Sequence, residues 1–159
     1  MNEAFFVDKT MQTPFRSWRQ SLGALGEDAA SLYLVGQGWR VIERNWRSYR
    51  ACELDIVAKD PQGTVVFVEV KTRAAFIGVY GTESVESALA SVDRSKQNKI
   101  KRGALIFLSK TGEPQRHGRR FDVLVVTIKQ CSLAYEAGSR FIRVQERDLD
   151  LLHIEGAFD

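Results

Sequence analysis

The sequence predicts an α/β fold with a mixed central β-sheet flanked by helices, and three patterns predict it. Apolar residues recur at helical spacing in two separated stretches, from Ser21 to Gly36 and from Asp93 to about Ser109. Between them lie runs rich in β-branched and aromatic residues, Ala51 to Ala58 and Thr64 to Arg73. A third run, Phe121 to Ile128, is too short and too β-branched for a helix and reads as a buried strand.

In order along the chain, Leu22, Leu25, Ala29, Leu32 and Tyr33 make the stripe of the first helix, which Gly36 and Gly38 stop. Trp39 to Trp46, aromatic at both ends, predicts a strand. The next two strands are separated by Asp60-Pro61-Gln62-Gly63, strong turn chemistry, and so form an antiparallel hairpin. A glycine-bearing loop with Gly78 and Gly81 follows Arg73, and the pattern from Thr82 to Leu89 selects no element. Asp93 is a candidate N-cap for the second helix, whose stripe is Ile100, Ala104, Phe107 and Leu108 and whose end is marked by Gly112 and Pro114. From Lys129 to Asp159 a weak alternation around Phe141, Ile142 and Val144 leaves room for one more strand.

A chain of 159 residues, 44% apolar and 27% charged, can bury one core and is short for two. One domain is expected over residues 20–159 behind a flexible arm at 1–19, where Phe5, Phe6, Phe15 and Trp18 form no single face. No stretch is apolar enough to cross a bilayer and the first twenty residues hold no unbroken hydrophobic block, so a cytoplasmic location is expected. Cys52 and Cys131 are too few for a disulfide scaffold and lack the close spacing of a zinc site. A formal charge of +3 permits a polyanionic partner without requiring one. His117 and His153 have no partner motif, which leaves a histidine-based mechanism without support.

The informative charges lie on the hairpin, where alternation turns sequence parity into sidedness. Glu53, Asp55 and Val57 share one face of the first strand, and Leu54, Ile56 and Ala58 the other. On the second strand Val65, Phe67, Glu69, Lys71 and Arg73 share a face that passes from apolar to ionic, opposite Val66, Val68 and Val70. Turning both apolar faces to the core permits a register that sets Asp55 beside Glu69. Opposed carboxylates destabilise a sheet unless something compensates them, and a bound cation does so. Magnesium takes one or two carboxylates while keeping waters and phosphates, and Lys71 would stand near the phosphate or the attacking water. Cross-strand Glu and Lys pairs on a wet face are the plainer explanation for an arbitrary hairpin.

On the first helix Glu27 lies off the apolar stripe among Gly23, Ala24, Ala30 and Ser31, small neighbours that allow another backbone to approach closely. By spacing alone the ordinary solvated helix glutamate is the favoured reading. Lys96 continues the buried stripe of the second helix at its beginning, with Gln97 and Lys99 beside it, and reads equally as a snorkelling lysine or a phosphate ligand. Arg94, Lys99, Lys101 and Arg102, with Arg116, Arg119 and Arg120, could supply a surface for a nucleic-acid backbone, although a charge run is usually just a solvated face.

Taken together, Leu25-Gly26-Glu27 with Ala29 and Tyr33, Arg44-Asn45, Glu53-Leu54-Asp55-Ile56-Val57-Ala58 and Phe67-Val68-Glu69-Val70-Lys71-Thr72-Arg73 resemble the YraN-like family of endonuclease-related bacterial proteins. Lys96-Gln97, Ala104, Arg120-Phe121-Asp122-Val123 and the ending His153-Ile154 to Ala157-Phe158 fit the same pattern, so the resemblance spans roughly Ser21 to Phe158. It implies a restriction-endonuclease-like core of the PD-(D/E)xK superfamily, nearest to archaeal Holliday-junction resolvases. It also implies that Asp55 and Glu69 are metal ligands, that Lys71 is the catalytic lysine, and that Glu27 completes the metal site or its water shell. Glu53 is then an outer partner of that site, and Arg73, Lys96, Gln97, Lys99 and Arg102 are nucleic-acid contacts. Two departures stand out: Cys52 occupies a position where the family usually has glycine, and residues 74–91 fit the pattern poorly. The function expected is an endonuclease acting on branched or single-stranded DNA in repair or recombination, with Mg2+ or Mn2+ as cofactor and a homodimer left open. The alternative is a structure-selective nucleic-acid-binding module without turnover.

Overall fold

The computed structural model describes residues 10–48, 52–74, 85–114 and 118–159. Strands β2 (Arg40–Ser48), β3 (Cys52–Lys59), β4 (Val65–Ala74), β5 (Arg119–Ile128) and β8 (Leu149–Ile154) form a five-stranded sheet in the order β2-β3-β4-β5-β8. The pair β4 and β5 is parallel and the other pairs are antiparallel, which makes the sheet mixed, as expected. Helix α1 (Trp18–Gly36) covers one face and α3 (Arg94–Thr111) the other, with the short α2 (Val85–Ala90) before it.

Two helical layers explain the valine-rich character of β4, since a central strand buried on both faces needs apolar residues at consecutive positions. Val66, Val68 and Val70 pack with Ile56 and Ala58 against Ala29, Ala30 and Leu34 of α1. Val65 and Phe67 pack with Val57 against Ile100, Ala104 and Phe107 of α3. The hairpin turn closes as its residues require: Asp60 Oδ1 accepts from the backbone N–H of Gln62 and Thr64, and Gly63 takes the left-handed φ of 88°. Asp93 caps α3 by accepting from the Lys96 backbone N–H at 2.8 Å, and Gly112 ends the helix with a left-handed φ of 64°.

A second sheet, β1-β7-β6, joins β1 (Thr10–Pro14) to the hairpin of β6 (Ser132–Glu136) and β7 (Ser139–Gln145). It corrects two expectations. The arm drawn over residues 1–19 stops sooner, because Thr10–Pro14 is a strand paired with β7 and α1 starts at Trp18 with Ser17 as its cap. Residues 1–9 lie outside the described residues. The segment after Ile128 holds three strands in place of one, and Ile142 and Val144 pack against Leu22 and Leu25 of α1. The loop glycines Gly78 and Gly81, together with Arg116 and His117, lie outside the described residues. No helix among the described residues is long and apolar enough to cross a membrane.

Candidate metal centre

The hairpin ladder runs from Lys59↔Val65 to Ile56↔Val68, and one further step would set Asp55 opposite Glu69. The ladder ends there because Asp55 turns its own carboxylate onto the partner strand, where Oδ2 accepts from the Val70 backbone N–H at 2.8 Å. On the other side β2 is also irregular: Asn45, between the pairs Arg44↔Ile56 and Trp46↔Leu54, has a left-handed φ of 52°. The alternation of β3 reverses across this point. Ile56 faces α1 as expected, but Leu54 faces α3, in contact range of Gly103 together with Cys52. A Cβ built on Gly103 would lie 3.0 Å from Cys52 Sγ, so the helix has no side chain where the strand carries one.

Glu69 is only 4% exposed, a depth at which a carboxylate requires compensation. Its Oε1 accepts from Lys71 Nζ at 2.9 Å and from Lys96 Nζ, in the first turn of α3, at 3.1 Å. Its Oε2 is buried and meets no hydrogen-bond donor among the described residues. Burial, and next the neighbouring Glu69 charge, push the Asp55 carboxyl up to about 7; the Val70 N–H and Lys96 oppose the rise and Glu27 adds to it. Burial acts to lower the Lys96 ammonium, yet the charges of Glu69 and Asp55 outweigh it and hold Lys96 above its usual range. Asp55 and Glu69 thus form a buried, interacting carboxylate pair with one oxygen left without a partner among the described residues, and they are the residues that could hold a divalent cation.

The other expected members are placed less closely. Glu27 is half-buried on α1, and its charge reaches Asp55 and Arg47. The described residues contain no group of three or more His, Cys, Asp or Glu set to hold a metal ion, so Glu27 does not close a three-carboxylate cluster. Gly26 meets β4 so tightly that a Cβ there would fall 1.9 Å from Thr72 Oγ1, and Glu27 is rotated about 100° round the helix from that contact. Glu53 pairs with Arg47 at 2.6 Å near the surface and contributes to the field at Lys96. Arg73, Lys99 and Arg102 are exposed, whereas Gln97 donates its side-chain amide to the Val92 carbonyl at 2.9 Å and so serves the start of α3.

One polar cluster was not foreseen. Asp122, wholly buried on the α1 face of β5, accepts from Arg120 at 2.9 and 3.1 Å and from the Gly156 N–H at 2.9 Å, and lies 3.0 Å from His153 Nε2. Burial pushes this carboxyl up, but His153, Arg120 and Gly156 together hold it below its usual range. A lone Asp inside the apolar run Phe121 to Ile128 was the available signal.

A family model described as "Uncharacterised protein family UPF0102" matches residues 26–126. The chain belongs to this family. The matched span holds Asp55, Glu69, Lys71 and Lys96 and leaves β1 and the strands after β5 outside, a shorter reach than the Ser21 to Phe158 expected from motifs. A UPF0102 protein of Trichlorobacter lovleyi is 45% identical over 113 residues, covering 71% of this chain and 82% of the relative. A UPF0102 protein of Prosthecochloris aestuarii is 40% identical over 137 residues, covering 86% and 92%. Among solved structures, "The structure of Pyrococcus Furiosus SfsA in complex with Ca2+" is 15% identical with a TM-score of 0.29, too loose to carry an argument; the match covers 80% of this chain and 63% of that one. The UPF0102 description itself names no activity.

Proposed function

We propose that this chain is a metal-dependent nuclease of the PD-(D/E)xK superfamily that hydrolyses phosphodiester bonds in DNA, branched or single-stranded, using Mg2+ or Mn2+. The observation that carries the reading is the buried Oε2 of Glu69, which meets no donor among the described residues and stands beside a carboxyl lifted to about 7. Two hard oxygen donors with a lysine alongside suit a small dication that keeps most of its waters. Asp55 and Glu69 would hold it, and Glu27 would act through its water shell. When bound, such an ion polarises the phosphate and makes a coordinated water more acidic.

The chain's own residues supply the rest. Lys71, fixed at 2.9 Å from Glu69 yet 21% exposed, orients the attacking water and offsets the negative charge that grows on the phosphate oxygens. The Val70 N–H holds Asp55 in one orientation. Arg73, Lys99 and Arg102 present cations to the nucleic-acid backbone. Asp55→Asn and Lys71→Ala are each expected to slow cleavage of branched and single-stranded DNAs by about a hundredfold or more in Mn2+. Parent-like rates in both variants refute the assignment. Salt-dependent binding by the parent without product at several Mn2+ concentrations points to the non-catalytic module instead.

A further inference from the structure

We propose that Lys96 is an exchangeable counter-ion. It neutralises Glu69 from α3, and it transfers to a nucleic-acid phosphate when a divalent cation takes up the Asp55 and Glu69 pair. Cation and polyanion then bind cooperatively through one side chain. The inference rests on reading that pair as a cation site.

Two ammonium groups converge on a single oxygen of Glu69, Lys71 at 2.9 Å and Lys96 at 3.1 Å. With Asp55 and Glu69 both ionised, as a bound cation requires, these lysines balance two negative charges with two positive ones. A dication added to the pair leaves two positive charges in excess, and the lysine freest to move relieves that excess by leaving. That lysine is Lys96: its side chain is 34% exposed against 21% for Lys71, and Lys71 stands on the same strand as its partner. Lys96 also lies in the first turn of an 18-residue helix, where aligned backbone N–H groups disfavour a cation and favour an anion. Exposed Lys99 and Arg102 continue from it along α3, so a released Lys96 joins a cationic rim that a phosphodiester backbone can follow.

The competing role is a brace, in which Lys96 holds Glu69 in place for the metal. The two roles predict opposite signs. Removing a brace weakens cation binding, whereas removing a counter-ion that the cation must displace strengthens it. The experiment measures Mn2+ binding by electron paramagnetic resonance on the full chain without DNA, for the parent, Lys96→Met and Lys96→Gln. Fluorescence anisotropy then measures affinity for labelled single-stranded and four-way-junction DNA, with and without Ca2+ at constant ionic strength.

Both variants are expected to bind Mn2+ about tenfold tighter than the parent. Ca2+ is expected to raise the parent's DNA affinity by about fivefold or more, and both variants should lose that gain. Weaker or unchanged Mn2+ binding in the two variants overturns the proposal while leaving the cation site standing. No Mn2+ binding by the parent overturns the site reading and the exchange with it.

Discussion

Asp55→Asn is expected to stabilise the protein at alkaline pH when divalent cations are chelated, although it removes a hydrogen-bonded, largely buried side chain. The folded carboxyl sits at about 7 against an ordinary 3.8, a rise of about three pH units. At about 1.4 kcal/mol for each unit the ceiling is about 4 kcal/mol. Because repulsion is shared with Glu69, about 2 kcal/mol is the working figure, or roughly 4–8 °C in Tm for a chain of this size. The sign follows from linkage: a folded value above the unfolded one contributes stability that is complete below about pH 4 and is lost as pH rises through about 7. The parent therefore loses stability across that window, while the amide does not titrate and can still accept from the Val70 N–H through its oxygen. Thermal unfolding followed by circular dichroism at pH 4.5 and 8.5 in EDTA tests this, with curves near coincidence at the lower pH and the variant ahead at the higher. Adding Mg2+ or Mn2+ should raise only the parent. A variant less stable than the parent at pH 8.5 in EDTA would show that no carboxylate strain is stored at this pair.

Other positions carry separate expectations. Gly26→Ala places a methyl into Thr72 and should cost about 3 kcal/mol or more in urea unfolding, and combining it with Thr72→Ala should recover part of the loss. An alanine at Gly26 with parent stability would contradict the helix-to-strand contact. Asp122→Asn removes a buried charge held by Arg120 and His153 and should cost about 3–5 kcal/mol at pH 7. Since the Asp122 carboxyl lies below its usual range, its contribution is present above the unfolded value and fades as pH falls through the folded one. The parent's advantage over Asp122→Asn should therefore shrink on acidification, and an advantage that grows in acid refutes this.

The central hairpin was legible because two independent constraints agreed. The Asp-Pro-Gln-Gly turn marks the hairpin, and parity permits only registers with Asp55 opposite an odd-numbered partner, of which Glu69 is one; the observed ladder, ending at Ile56↔Val68, runs in that register. The reversal at Leu54 was not legible, because it depends on a left-handed Asn45 on the neighbouring strand and on the Asp55 carboxylate taking a ladder N–H. Local sequence does not report such exchanges. Lys96 was undecided for a related reason: helical spacing puts it at the rim of the core, and only packing of α3 against β4 shows that the rim meets Glu69. Small residues around Glu27 did signal a close approach, and the tight contact is at Gly26 against Thr72. Thr10–Pro14 reads as a tail in the sequence because five residues carry little periodicity and their pairing partner is far along the chain. His153 lacked a motif partner because Asp122 becomes its neighbour only through the pairing of β5 with β8.

That distant pairing of β1 has a consequence for synthesis. Thr10 lies opposite Gln145, so the first strand leaves the ribosome long before its partner exists. At about 5–20 residues per second it waits on the order of ten seconds, exposing an unpaired edge to any other nascent chain nearby. Pulse-labelled amide exchange during refolding should find Met11 and Val144 protected later than Val66 and Val68; earlier protection would mean that the small sheet nucleates first.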